Sequence, residues 1–302
     1  MKILVTGTGG QVGHDLLRSL APLGEIVGVD RATMDLESPS AIAEVVRRVR
    51  PDAIFNPAAY TAVDRAESEA DAAMRINGVA PGVLGDEAAR LGAWLIHYST
   101  DYVFDGRSAA PYREDDPTGP VSVYGRTKLA GERAVAASGC RHLILRTSWV
   151  YNLTGRNFLT TMNRLARERD ELRVVDDQVG APTTSAALAA AGADIVRRLQ
   201  RGDTTEDGVY HMTCGGAVSW CGFARAIVAR LPAIAHARGE APAQKAPRVV
   251  PITTADFPTP TARPANSRLD NGKLERLLGL RLPHWEAALD ALIAEASAAR
   301  PN

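Results

Sequence analysis

The chain reads as an α/β protein: a doubly wound parallel sheet with a smaller, mostly helical C-terminal domain. Three observations predict this. Short apolar runs alternate with amphipathic stretches through the first half, a glycine-rich turn follows the first run, and the texture changes after Tyr151. The strand-like runs are Lys2–Thr6, Glu25–Val29, Ala53–Phe55, Trp94–Tyr98 and His142–Arg146. Each lacks period-two alternation, as strands buried on both faces do. Between them, Val12, Leu16, Leu17 and Leu20 make one helical stripe, and Ile42, Val45, Val46 and Val49 make another at i, i+3, i+4, i+7. A third helical segment is entered near Pro81 and closed by Ala88 and Leu91. Beyond Tyr151, helices are expected over Asn157–Arg169, Ser185–Leu199, Trp220–Leu231 and Trp285–Ala299, with strands near Leu172–Val175 and Gly208–Met212. The proline-rich stretch from Pro242 to Pro264 is expected to be an ordered connector lining a cleft.

Composition sets the outer limits. The 302 residues carry 35 basic and 35 acidic side chains, so the net charge is zero, which argues against binding nucleic acid through bulk charge. A hydrophobic content of 45% with 23% charged residues suits a folded protein rather than a disordered one. Three cysteines, Cys140, Cys214 and Cys221, cannot all pair, and six isolated histidines show no metal-ligand spacing, so no metal is expected. The N-terminal apolar run is too short for a signal peptide, and no stretch approaches a membrane span. A cytoplasmic protein with no membrane or nucleic-acid partner is expected. Only four of the 35 cations are lysine (Lys2, Lys128, Lys245 and Lys273).

The turn Gly7-Thr8-Gly9-Gly10-Gln11-Val12-Gly13 has glycine at Gly7, Gly10 and Gly13, between a strand and a helix. In that setting glycines allow a tight turn and close approach of a pyrophosphate, while helix N-terminal N–H groups face the anion. Asp30 ends the second strand about 20 residues later, where a carboxylate can accept from an adenosine ribose. Asp30 favours NADH; the adjacent Arg31 could pair with the extra phosphate of NADPH, so the choice between the two stays open. On this reading residues 1–151 form a Rossmann-type dinucleotide-binding domain, rejoined by about 185–212. Residues 152–184 and 213–302 form the substrate-binding domain.

Tyr124-Gly-Arg-Thr-Lys128 sets a phenol and an ammonium one helical turn apart on one face. A nearby cation favours phenolate, which would make Tyr124 an acid/base near neutrality. Lysine is so scarce here that a chance Lys four residues after one of seven tyrosines is an expectation of roughly 0.1. The strand ending at Ser99 and Thr100 delivers hydroxyls where open α/β sheets bind ligands, and one there can donate to a substrate carbonyl.

These elements resemble the extended short-chain dehydrogenase/reductase superfamily, in its sugar-nucleotide branch, and more narrowly the dTDP-4-dehydrorhamnose reductase family. The matching stretches span nearly the whole chain, among them GTGGQVG (7–13), NPAAYTAVDRAESE (56–69), STDYVFDG (99–106), YGRTKLAGE (124–132), LRTSWVY (145–151), DQVGAPT (177–183) and RPANSRLD (263–270). The resemblance implies that NADPH or NADH lies over Gly10, Gln11 and Val12. Asp30 would approach its ribose, Asp35 and Leu36 its adenine, and Ala58, Ala59 and Tyr60 would border it. Tyr124 would give the proton, Lys128 would also hold the nicotinamide ribose, and Thr100 would polarise the carbonyl. Thr100 and Asp101 would face the sugar, Trp149 would pack by it, and Arg263 or Arg268 would suit a diphosphate. Some relatives are metal-linked dimers held by clustered acids. Asp15 is present here, but Thr-Ser-Ala-Ala-Leu after DQVGAPT brings no carboxylate, so a homodimer stays open and its metal link in doubt. The implied reaction reduces the C4 keto group of dTDP-4-dehydro-L-rhamnose. A reductase or epimerase on another nucleotide sugar, and a non-catalytic coenzyme-binding regulatory subunit, are the alternatives; the complete Thr, Tyr, Lys set favours an enzyme.

Overall fold

The computed structural model describes residues 1–241, 243 and 245–299. Pro242, the first residue of the proline-rich stretch, lies outside the described residues. Strands β1 (Lys2–Val5), β2 (Glu25–Gly28), β3 (Ala53–Asn56), β4 (Trp94–Thr100), β5 (Arg141–Thr147) and β6 (Gly208–His211) form one sheet in the order β6-β5-β4-β3-β1-β2. All its pairings are parallel. The chain leaves β1 to one side for β2 and returns to the other for β3. The strand order therefore reverses between β1 and β3, the place where such sheets open a ligand crevice.

Successive strand residues feed opposite faces. Ile3, Val5, Phe55, Ile96 and Leu145 pack with Leu16 and Leu20 of α1 (Gln11–Leu20) and with Leu188, Ile195 and Val196 of α6 (Ser185–Arg201). Leu4, Ile54, Leu95 and Ile144 pack on the other side with α2 (Pro39–Val49), α3 (Ala80–Leu91) and α4 (Val123–Ala137). This two-sided burial is why the strands read as continuous apolar runs. Helix α2 starts where Ser38 accepts from the Ala41 N–H and Pro39 enters the first turn, and it stops at Arg50 in a left-handed conformation.

A second cluster gathers Leu159 and Met162 of α5 (Phe158–Glu168), Phe223 and Ile227 of α7 (Trp220–Val228), Ile234 of α8 (Leu231–Arg238), and Trp285, Leu289 and Ile293 of α10 (Trp285–Ala298). One expectation fails here. The single helix expected over Trp220–Leu231 ends at Val228, and Pro232 starts a new one. Proline has no N–H for the helix ladder, and its ring collides with the preceding turn. Leu274 and Leu278 of α9 (Gly272–Leu278) pack in the sheet's cluster rather than in the second one. The connector after Pro242 is ordered where described. Arg248–Ile252 pairs in parallel with Glu171–Val175, and Thr253 and Asp256 form a reciprocal cap just beyond.

Candidate functional site

The glycine turn has the geometry its spacing asks for. Gly7 has φ +59°, and a Cβ on Gly13 would stand 2.3 Å from the Gly7 carbonyl oxygen. Only hydrogen fits there, and helix α1 can then start directly against the turn. Gly10 caps α1 in extended conformation and donates to the Gly7 carbonyl at 2.9 Å. Gln11 and Val12 form the first turn of α1; the Gln11 side chain accepts at 2.8 Å from Asn157, the residue that caps α5. A cleft of about 340 Å³ opens at the reversal point, lined by Gly7, Asp30, Arg31, Asp35, Leu36, Ala58, Ala59 and Tyr60, among others. Eight sequence-predicted residues from four segments therefore meet in one crevice. Asp30 is engaged in its own turn, accepting from Ala32 N–H, Thr33 N–H and the Thr33 hydroxyl; the Thr33 bonds hold its carboxyl below the usual range. Arg31 is exposed and paired with Glu37 at 2.9 Å.

Thr100, Asp101, Tyr124 and Lys128 come together beyond the C-terminal edge of β4. Thr100 is buried; its hydroxyl donates to the Asp101 carboxylate at 3.0 Å and accepts from the Tyr102 N–H at 3.3 Å. Ser122 caps α4 by accepting from Gly125 N–H, which sets Tyr124 on the first turn. A Cβ at Gly125 would lie 2.2 Å from the Tyr102 carbonyl oxygen, so glycine lets α4 close on the segment after β4. Asp101 is buried, and burial pushes its carboxyl up to about 6 against the hydrogen bonds of Ser267 and Thr100.

The expectation that Lys128 depresses the Tyr124 phenol is not met. Burial pushes that phenol up, the Thr100 hydrogen bond pulls against it, and the charge of Asp101 adds to the rise. Lys128 instead donates to the Tyr98 carbonyl at 2.6 Å and stands 3.4 Å from His97 Nε2. The shared helix face is real, but a buried ammonium must find acceptors, and the strand beneath supplies the nearest. Burial also brings Lys128 itself down to about 8, opposed by the charge of Glu132.

Trp149 has φ +48°, an uncommon conformation for so bulky a residue. Its indole stacks on Trp220 with centroids 3.4 Å apart, and a Cβ at Gly180 would strike its ring at 2.5 Å. One indole face is thus covered by the second cluster. Arg263 holds Asp64 through Nη2 at 2.8 Å to both carboxylate oxygens, while Arg268 is engaged by Asn266 and the Ala109 carbonyl. Arg263 nevertheless lines a second cleft of about 340 Å³ with Tyr102, Phe158, Arg173, Trp220 and Phe257.

Sequence reasoning missed several buried polar residues around this centre. Glu132 accepts a bidentate pair from Arg146 and a 2.5 Å bond from Ser99, so Ser99 braces α4 and leaves Thr100 as the hydroxyl at the site. Asn77 lies in a π-helical turn, Arg75–Val79, that interrupts the helix leading into α3. It accepts from Tyr60 N–H at 2.8 Å and donates to the Thr127 hydroxyl at 3.2 Å, tying the loop after β3 to α4. The available signal was a lone Asn-Gly inside an otherwise helical run.

The comparisons with known proteins agree with this geometry. The family model described as RmlD substrate binding domain matches residues 1–298. A dTDP-4-dehydrorhamnose reductase of Burkholderia thailandensis is 49% identical over 292 residues, covering 96% of this chain and 97% of that protein. The solved dTDP-4-dehydrorhamnose reductase of Clostridium acetobutylicum is 37% identical, with a TM-score of 0.88 over 98% of this chain and 99% of that one. That of Bacillus anthracis, solved in complex with NADP, is 35% identical, with a TM-score of 0.87 over 97% of this chain and 99% of that one. With the family model matched over residues 1–298 and relatives matched across nearly their full length, the chain belongs to the dTDP-4-dehydrorhamnose reductase family.

Proposed function

We propose that the protein reduces the C4 keto group of dTDP-4-dehydro-L-rhamnose to the alcohol of dTDP-L-rhamnose, using NADPH or NADH. One observation carries the chemistry: the first turn of α4, which bears Tyr124, closes on the segment after β4, whose last residue is Thr100, with Lys128 one turn along α4. The crevice fits a dinucleotide. Gly7 and Gly13 let the turn close on Ala58 and on α1 where any Cβ would collide, Gly9 and Gly10 stay exposed at the start of α1, and Asp30 and Asp35 line the end suited to an adenosine.

When bound, the coenzyme supplies the hydride. Gly10, Gln11 and Val12 hold its pyrophosphate at the start of α1, and Ala58, Ala59 and Tyr60 wall it. Thr100 donates to the substrate C4 oxygen, and Tyr124 gives that oxygen its proton as the alkoxide forms. A phenol held above its usual pKa keeps its proton until a stronger base, the nascent alkoxide, appears. Lys128 would hold the nicotinamide ribose, and Asp101 and Trp149 orient the sugar.

The three free cysteines are buried, which suits a reducing, cytoplasmic setting, and no helix among the described residues is long and apolar enough to cross a membrane. The test is oxidation of NADPH or NADH with dTDP-4-dehydrorhamnose and a panel of other 4-keto nucleotide sugars. The highest kcat/KM is expected on the first. A higher value on another sugar would reassign the substrate, and no oxidation with any of them would overturn the enzymatic reading.

A further inference from the structure

A row of buried polar residues runs under the site, and the chemistry above does not use it. The Thr6 hydroxyl donates to Asn56 Oδ1 at 2.7 Å, Asn56 Nδ2 lies 3.0 Å from His97 Nδ1, and His97 Nε2 lies 3.4 Å from Lys128 Nζ. Thr6 and Lys128 are 1% exposed, and Asn56 and His97 are 0% exposed. The row crosses three adjacent strands, β1, β3 and β4, and ends on α4. At its far end Thr6 also accepts from Ala58 N–H at 3.4 Å, next to the glycine turn.

The donors and acceptors in this row constrain each other. As the side chains stand, Thr6 gives to Asn56, Asn56 gives to His97 Nδ1, and the histidine proton is therefore on Nε2, facing lysine. That arrangement suits an uncharged amine, whose lone pair accepts from Nε2–H while it donates to the Tyr98 carbonyl. A charged ammonium has only donors. It needs an acceptor at Nε2, so the histidine proton must sit on Nδ1 and give to Asn56 Oδ1, with the amide turned end for end and its NH2 on Thr6. Both directions satisfy the histidine and the amide, and they differ by the one proton on Lys128. An apolar residue at position 97 would leave the ammonium one acceptor short in a buried place.

We propose that His97 and Asn56 form a reversible hydrogen-bond relay that lets Lys128 exchange between ammonium and amine with the imidazole and the amide paired in both states. His97 is thus a positioning residue for Lys128 and stays neutral throughout. Burial and the Lys128 charge hold its imidazole well below the usual range. From β1 and β3 the groups facing the relay are the uncharged Thr6 and Asn56. From α4 they are Lys128 and, one turn on, Glu132, whose charge is matched by Arg146 of β5. The catalytic use of the relay rests on the role proposed above for Lys128, but the relay itself can be observed without substrate.

The lysine scarcity makes the test direct. With four lysines in the chain, 13Cε-lysine labelling of the intact protein gives four titrating signals, and Lys128→Met identifies the one that matters. Long-range 1H–15N spectra of the wild type report each histidine tautomer, and the imidazole perturbed by Lys128→Met is His97. As pH rises through the Lys128 midpoint, His97 is expected to switch from the Nδ1–H to the Nε2–H tautomer. In His97→Leu the Lys128 midpoint should fall by about one pH unit, and in the more remote Asn56→Leu by about half a unit. A single His97 tautomer across the whole Lys128 titration would overturn the proposal. So would a folded His97→Leu protein whose Lys128 midpoint moves by less than ~0.2 unit. Should His97→Leu not fold, the wild-type tautomer spectra decide alone. Failure of the substrate assay would leave these spectra unchanged, so the two readings fail separately.

Discussion

The two clefts have the same volume, about 340 Å³, and different construction. The one over the glycine turn sets main chain and small side chains, Gly7, Ala58 and Ala59, beside Leu36, Tyr60 and Ile76, with the carboxylates of Asp30 and Asp35 among them. The other is made of large side chains, Tyr102, Phe158, Trp220 and Phe257, with Arg173 and Arg263 among them. A backbone crevice is pre-shaped by the sheet and recognises what every dinucleotide shares. An aromatic and guanidinium cleft draws on side-chain chemistry, where discrimination between nucleotide sugars can reside. The loop after β3 serves both, with Ala58 to Ala62 lining the first and Asp64 the second.

Substitutions can break or sharpen that contrast. The largest effect is expected at Tyr124, which packs edge-on against Tyr102 of the second cleft with ring centroids 5.5 Å apart. Tyr124→Phe should lower kcat by about 10²–10⁴ with coenzyme affinity nearly unchanged, measured by steady-state kinetics and coenzyme titration. Activity within about twofold of wild type would remove Tyr124 from the mechanism.

Asp101 shows the effect of burying a carboxyl at the end of β4. Burial pushes it up to about 6 from an ordinary value of 3.8. The folded state therefore binds the extra proton, and stability falls as pH rises from 3.8 to about 6. Asp101→Asn should flatten that dependence. It should raise stability at pH 7.5 by up to about 3 kcal/mol while lowering turnover, checked by urea unfolding at several pH values.

Gly13→Ala tests the backbone cleft alone. Its Cβ would meet main chain, so coenzyme Kd should rise by at least about tenfold. Arg263→Ala tests the side-chain cleft. It should raise the nucleotide-sugar KM by about tenfold and leave coenzyme Kd within twofold, since Arg263 lies among the second cleft's residues only. A matching change in coenzyme affinity would show that the clefts are not separate. The smallest effect is expected at Arg31. Exposed and already paired with Glu37, it should shift the NADPH to NADH preference by no more than about fivefold when changed to Ala.

The same contrast explains how much could be read in advance. The backbone cleft follows from local patterns: a strand, three spaced glycines, a helix and an acid at the next strand end. That Tyr124 and Lys128 lie one turn apart on one helix, and Thr100 at a strand end, was legible from helical periodicity and from the apolar run before it. The second cleft draws Asp64, Tyr102, Arg173, Trp220 and Arg263 from segments far apart in the chain, and no short-range spacing announces such a meeting. Lys128 marks the boundary between the two cases. Its helix face was readable from the interval to Tyr124, but the direction of its ammonium depended on a carbonyl and an imidazole of β4 beneath it. Nor could periodicity show that Trp149 would lie against a second tryptophan 71 residues on.

The buried cysteines turn the molecule into its own gauge of cooperativity. Cys140 lies in the cluster beneath the sheet, whereas Cys214 and Cys221 lie in the second cluster. A thiol packed in apolar surroundings is inert until its surroundings open. The rates at which these three sulfurs react with an added disulfide reagent therefore clock local opening of each half in the unmodified protein. Equal rates would describe one cooperative unit, and unequal rates would identify which half loosens first.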